Sequence, residues 1–162
     1  MSDSKAANRM KAQSLVLLIP LVTLSCAQSA PTTSSSPSKT LLYNLVDARI
    51  FALGPVGYAA KDPEELLRFR AIMALKPDQA KQELEKLNSS GNPQAMSYAL
   101  VGMRRLDPKR YAELLASARA SNVMVRTMWG CIISDEKLRA IADELDSGKY
   151  DPLLRVGDKV AP

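Results

Sequence analysis

A helix-starting signal recurs along the middle of the chain at a nearly fixed interval. Asp62-Pro63, Asn92-Pro93 and Asp107-Pro108 each place a capping side chain before a proline, and Lys76-Pro77-Asp78 is a weaker fourth. Proline fits the first helical position because its missing N–H is one that a helix leaves unpaired there. The preceding Asp or Asn accepts a bond from the next free N–H groups. The prolines at 63, 77, 93 and 108 lie 14, 16 and 15 residues apart. That interval holds one short helix and its turn, the rhythm of stacked αα-hairpins.

The apolar spacing follows the same rhythm. Leu66, Leu67, Phe69, Ile72, Met73 and Leu75 make a broad stripe, and Glu65 stands three residues after Asp62 as in a capping box. Between Pro77 and Leu87 only Ala80, Leu84 and Leu87 are suited to burial, which describes a surface helix. Ala95, Met96, Ala99, Leu100, Met103 and Leu106 form the next face, and Tyr111, Leu114, Leu115 and Ala118 another. Ser134 is positioned to cap a last helix carrying Leu138, Ile141 and Leu145, with Gly148 as its stop. Leu41, Leu42, Leu45, Val46, Ile50 and Leu53 allow an opening helix. Residues 123–133 (VMVRTMWGCII) pull two ways: β-branching favours a strand, whereas Asn122 falls 15 residues after Asp107 and continues the capping rhythm. A lone strand leaves its backbone unpaired, so a helix is preferred. The expected fold class is all-α.

Composition narrows the chemistry. The chain of 162 residues is one domain's worth, and it contains no histidine. Ser-His-Asp and Cys-His catalysis, His-ligated zinc and proximal-His haem are thereby excluded. Two cysteines make neither a zinc cluster nor a disulfide scaffold. No cofactor is expected.

The first 25 residues read as a signal peptide. Lys5, Arg9 and Lys11 precede an uncharged ten-residue core, Leu15 to Leu24, which contains Pro20. A spanning helix needs about 20 apolar residues, so this stretch has the length of a secretory core instead. Thr23-Leu24-Ser25-Cys26 then resembles a lipobox, the bacterial signal for acylating a cysteine. Ser25 fits the small residue required before the cysteine, whereas Thr23 departs from the usual aliphatic position. The resemblance implies Cys26 as the lipidation site. The absence of Asp at position 27, where Ala27 stands, implies the outer membrane. Small residues at Ser25, Ala27 and Ser29 also permit ordinary cleavage before Gln28 or Ala30, which would leave a soluble periplasmic or secreted protein.

Residues 26–40 form the anchor cysteine and a linker. The run AQSAPTTSSSPSKT after Cys26 is small, polar and Pro-containing, a composition expected to be disordered. Its fourteen residues reach about 20 Å on average and about 48 Å stretched, enough for a tether. The whole chain has 22 Lys and Arg against 17 Asp and Glu, but the leader holds three of those basic residues and one acidic. The mature chain would carry only +3, so basicity gives no reason to expect nucleic acid.

The folded domain is expected over 41–162. Its stretch 62–145, with Val125-Arg126 early in a supposed helix, resembles a HEAT-like helical repeat. The runs AMSYALVGMRRL (95–106) and TMWGCI (127–132) are similar to small bacterial envelope proteins of uncharacterised function. The resemblance implies an array of short αα-hairpins that binds a protein partner and is not an enzyme.

Candidate sites are few. Cys131, with apolar neighbours Trp129, Ile132 and Ile133, reads as a buried inert thiol. Ser134-Asp135-Glu136-Lys137 matches Ser-x-x-Lys, but its companion motifs are missing and a helix cap explains it better. The methionines, Met124 and Met128 among them, fall at core spacing and not in a copper-binding cluster, so no metal is expected. Arg104, Arg105, Lys109 and Arg110 form a possible patch for an anionic partner. The first two suit a helix C-terminus, but the last two fall in a first turn, where cations are mildly unfavourable. The sequence thus leads to a lipid-anchored scaffold in the cell envelope, with a membrane on one side and an envelope protein or anionic surface on the other. The alternative is a soluble hydrolase or transferase that uses carboxylates or a Ser/Lys pair.

Overall fold

A computed structural model describes residues 44–156. The leader, Cys26, the linker and the opening residues Leu41 and Leu42 lie outside the described residues. Four helices follow in sequence: α1 (Glu64–Met73), α2 (Pro77–Ser89), α3 (Pro93–Leu106) and α4 (Pro108–Ala120). Two strands come next, β1 (Met124–Trp129) and β2 (Ile132–Lys137), then α5 (Leu138–Asp146) and the short α6 (Asp151–Val156).

The proline rhythm is realised helix by helix, with differences at the caps. Asn92 accepts from the N–H groups of Gln94 at 2.9 Å and Ala95 at 3.3 Å, and Asp107 accepts from Arg110 N–H at 3.1 Å. Pro77 opens α2 without a side-chain cap. Asp62 does not cap: α1 begins after Pro63, and the Asp62 carboxylate pairs with Arg70. Glu65 closes no capping box either, because its Oε1 accepts from the N–H of Arg49 at 3.4 Å.

The core runs through the buried faces of all these elements. Helix α3 is central, burying Ala95, Ser97 and the run Tyr98 to Met103. Its Gly102 faces Leu84 of α2. A Cβ there would stand 2.6 Å from both Leu84 methyl carbons, so only glycine admits this approach without displacing a fully buried leucine. The Tyr98 hydroxyl donates to the Ala52 carbonyl at 3.0 Å and accepts from the Ala52 N–H at 3.1 Å. That pair satisfies a buried, non-helical peptide, which would otherwise be costly to bury.

The all-α expectation is overturned by β1 and β2, which form an antiparallel sheet. The HEAT-like array falls with it, since Val125 and Arg126 lie in β1 and the hairpin separates α4 from α5. The register is unbroken, from Met124 opposite Lys137 to Trp129 opposite Ile132. The objection to a lone strand is met by the next six residues. The chain reverses over Gly130 and Cys131, with Gly130 at φ +58° and Cys131 outside the left-handed region. Glycine at the first of two turn residues is a hairpin signature.

Ser134 therefore sits in β2 and caps nothing. Helix α5 starts at Leu138 with no side-chain cap and ends as expected at Gly148, where φ is +80°. The expected opening helix is also absent from its described part. Residues 48–53 run as irregular or extended chain, and Phe51 bridges to Thr127. Phe51 N–H donates to Arg126 O at 2.8 Å, and Met128 N–H donates to Phe51 O at 3.1 Å. A two-stranded hairpin alone is marginal in water. This one gains a third backbone partner on the β1 side. It also gains the fully buried Phe51 ring, which meets Tyr98, Trp129 and Tyr150 edge-on.

Candidate functional site

The predicted basic patch lies where α2, α3, α4 and α6 meet. Arg104, at the end of α3, pairs with Asp151. Arg110 is held more fully. Its Nε and Nη2 bond the two Glu85 oxygens at 2.6 and 2.9 Å, and its Nη1 bonds Glu113 at 2.7 Å. This two-pronged bond to Glu85 holds the Glu85 carboxyl below its usual range and pushes the Arg110 guanidinium further up. Here is the compensation for a cation in a helix's first turn: α2 supplies a carboxylate from outside the helix. Next to it, Lys81 bonds Asp107 at 3.0 Å. Asp107 is lowered first by the backbone N–H of Arg110 and then by Lys81. Arg105 and Lys109 are exposed. Arg104 is thus tied to α6 and Arg110 to α2.

A second polar cluster lies on the inner face of the hairpin, where sequence reasoning saw only a cap. Thr127 is fully buried. Its hydroxyl and that of Ser134 both lie within donating distance of Glu136 Oε1, at 2.8 and 3.1 Å, and 2.9 Å from each other. Lys137, three residues on along a strand, faces the opposite side from Ser134. A Ser/Lys nucleophile pair is therefore not assembled. Beside the cluster, Tyr150 stacks on Trp129 with ring centres 5.2 Å apart and donates its hydroxyl to Glu144. Burial and then the bond to Glu144 push the Tyr150 phenol up. At Glu144 burial acts to raise the pKa, but bonds from Lys149 and Tyr150 outweigh it and hold the carboxyl low.

A cavity of about 390 Å³ opens beside the first described residues, lined by Leu45, Asp47, Ala48, Arg49, Glu64, Glu65 and Arg68. Its charges are largely occupied with one another. Glu64 pairs with Arg68, Glu65 accepts from the Arg49 backbone, and Arg68 also donates to Asn44 O at 2.8 Å. Of the three carboxylates in the lining, Glu64 and Glu65 are thus each engaged by a neighbouring group.

Cys131 is exposed, contrary to the buried thiol expected, because it occupies the hairpin turn and not a helix face. The methionines divide: Met103 is in the core, but Met124 is half exposed on the outer face of β1. Among the described residues no cluster of three His, Cys, Asp or Glu side chains is placed to hold a metal ion, and no helix is long and apolar enough to cross a membrane. The lipidation candidate, Cys26, lies outside the described residues. The polar hairpin cluster and the exposed turn were missed together. The signal that marks both is a glycine-containing pair between two β-branched runs, Trp129-Gly130-Cys131-Ile132.

Comparison of the chain with protein-family models, with curated proteins and with solved structures gives no match.

Proposed function

We propose that this protein is a lipid-anchored component of a bacterial cell envelope, held on the periplasmic side of the outer membrane through acylated Cys26, whose folded domain acts by binding another envelope component. The reading rests on residues 15–40: a ten-residue apolar core, a cysteine in a lipobox-like setting and a polar linker of tether length. The geometry of the domain supports a binding role over the alternative of a soluble hydrolase or transferase. Ser134 and Lys137 face opposite sides of a strand, and Glu64, Glu65, Glu85 and Glu144 are each committed to a hydrogen bond or ion pair.

The test is the intact mass of the protein recovered from its host's membrane fraction. The expected result is a chain that begins at Cys26 and carries acyl groups. An unmodified chain beginning at Gln28 or Ala30, found in the soluble fraction, would remove the anchor and favour a diffusing protein.

A further inference from the structure

Two turns at one end of the domain are tied together by their backbones. Gly57 N–H donates to Gly130 O at 2.8 Å, and Val56 bridges to Gly130. The tie joins the loop of residues 54–61 to the hairpin tip of residues 128–134. Their composition is unusual for surface turns, which are as a rule rich in charge. The two segments together contain no acidic residue and a single basic one, Lys61. Three of their large side chains stand in solvent: Tyr58 is wholly exposed, Ile132 is 70% exposed and Ile133 59%. The adjoining core buries Phe51, Val125 and Tyr98 completely.

We propose that this tip inserts at the boundary between headgroups and acyl chains of the lipid bilayer to which the chain is anchored, deep enough to bring Trp129 near the first acyl carbons. The proposal rests on the anchor described above. Three observations favour a bilayer over a protein partner. Ile132 and Ile133 are consecutive in a strand and point to opposite faces, so a single rigid partner surface would cover one and leave the other wet. A fluid interface surrounds both. An exposed tyrosine beside aliphatic side chains, with lysine as the one charge, suits an interface whose headgroups are partly anionic. The chain between Cys26 and Asn44 has 17 residues, which span no more than about 60 Å, so the domain cannot leave the neighbourhood of the membrane. Anchoring makes even a weak contact persistent, because the tip stays at a high effective concentration near the surface.

The chain supplies its own probe. Trp129 is the only tryptophan and stands at the base of the tip. The acylated protein, recovered from membranes, is reconstituted into phosphatidylethanolamine and phosphatidylglycerol vesicles, with or without brominated acyl chains. Trp129 emission is then compared between the two lipids. The expected result is a loss of about half the emission in brominated vesicles. That loss should be largely abolished in an Ile132→Ser, Ile133→Ser double variant and reduced in Tyr58→Ser. These positions are exposed, and an unchanged circular dichroism spectrum would confirm that the variants fold. Equal emission in both lipids overturns the proposal, and so does quenching that persists in the double variant. Self-association lost in the same variants, without quenching, would assign the tip to a second copy pairing along β2 and also overturns it. An unacylated, soluble chain removes the anchor and the tip's role with it, whereas an acylated chain without quenching removes the tip's role alone.

Discussion

The helices from Glu64 to Ala120 and the hairpin from Met124 to Lys137 are built from different kinds of information. Each helix is closed by groups within or next to it. Pro77, Pro93 and Pro108 open their helices, Asn92 and Asp107 cap two of them, and the apolar residues recur at helical spacing. The hairpin has a local turn at Gly130, but its strands gain their place from residues some 75 positions earlier in the chain. Phe51 bonds both Arg126 and Met128, and Gly57 bonds Gly130. The difference teaches where strain and dependence lie. A helix here keeps its own hydrogen bonds when a neighbour is trimmed, whereas the hairpin depends on a distant segment remaining in place.

The sharpest way to break that comparison is Phe51→Ala. The ring is fully buried and touches Tyr98 on the helical side and Trp129 and Tyr150 beside the hairpin. Its loss should cost about 3–5 kcal/mol in urea unfolding, the range for deleting a buried aromatic side chain. Trp129 emission should report loosening of the hairpin before far-ultraviolet circular dichroism reports loss of helix. A cost under about 1 kcal/mol, below the range for such truncations, would mean that the hairpin holds itself and that Phe51 is ancillary.

Two glycines sharpen the same contrast. Gly102→Ala tests close helix packing, because the new methyl would meet Leu84 at 2.6 Å. Overpacking of this kind costs about 1–3 kcal/mol. Gly130→Ala tests backbone conformation alone, since nothing stands within 4 Å of a Cβ there but φ is +58°. The left-handed region costs an L-residue about 1–2 kcal/mol. The first variant should be partly rescued by trimming Leu84 to Ala, as a clash would be. The second should not, and thermal unfolding of the two single variants and of each combined with Leu84→Ala distinguishes the cases.

The legible part of the fold follows from this division. Proline and capping residues are local signals, and they placed four consecutive helices. Gly148 marked the end of α5 for the same reason. The hairpin is hard to read because each strand taken alone is ambiguous: residues 123–133 have no visible partner within themselves, and Ser134 fits the start of the next helix. Pairing is a property of two segments, and the partner of β1 was hidden inside a supposed cap. The basic patch was legible as residues but not as structure. That Glu85, 25 positions before Arg110, would reach it depends on how α2 packs against α3 and α4. The exposure of Cys131 has the same origin as the hairpin, since the thiol sits in its turn.

The Arg110–Glu85 tie gives the smallest expected effect, and pH separates its sign from that of packing. Glu85 ionises more readily in the folded chain than its ordinary value of 4.5. A lowered carboxylate contributes stability that is fully present above the unfolded value and is lost as pH falls through the folded one. Both partners are more than a third exposed, at 37% and 39%, so solvent screens the pair and its contribution should be small. Glu85→Gln should therefore lower stability slightly at pH 7 and make no difference once pH is well below the folded value. The penalty should also shrink in high salt. A loss from Glu85→Gln that persists unchanged in acid would show that α2 is held to α4 by the packing of the Glu85 stem and not by its charge. The tie would then resemble Gly102 more than a salt bridge, a contact between helices set by shape.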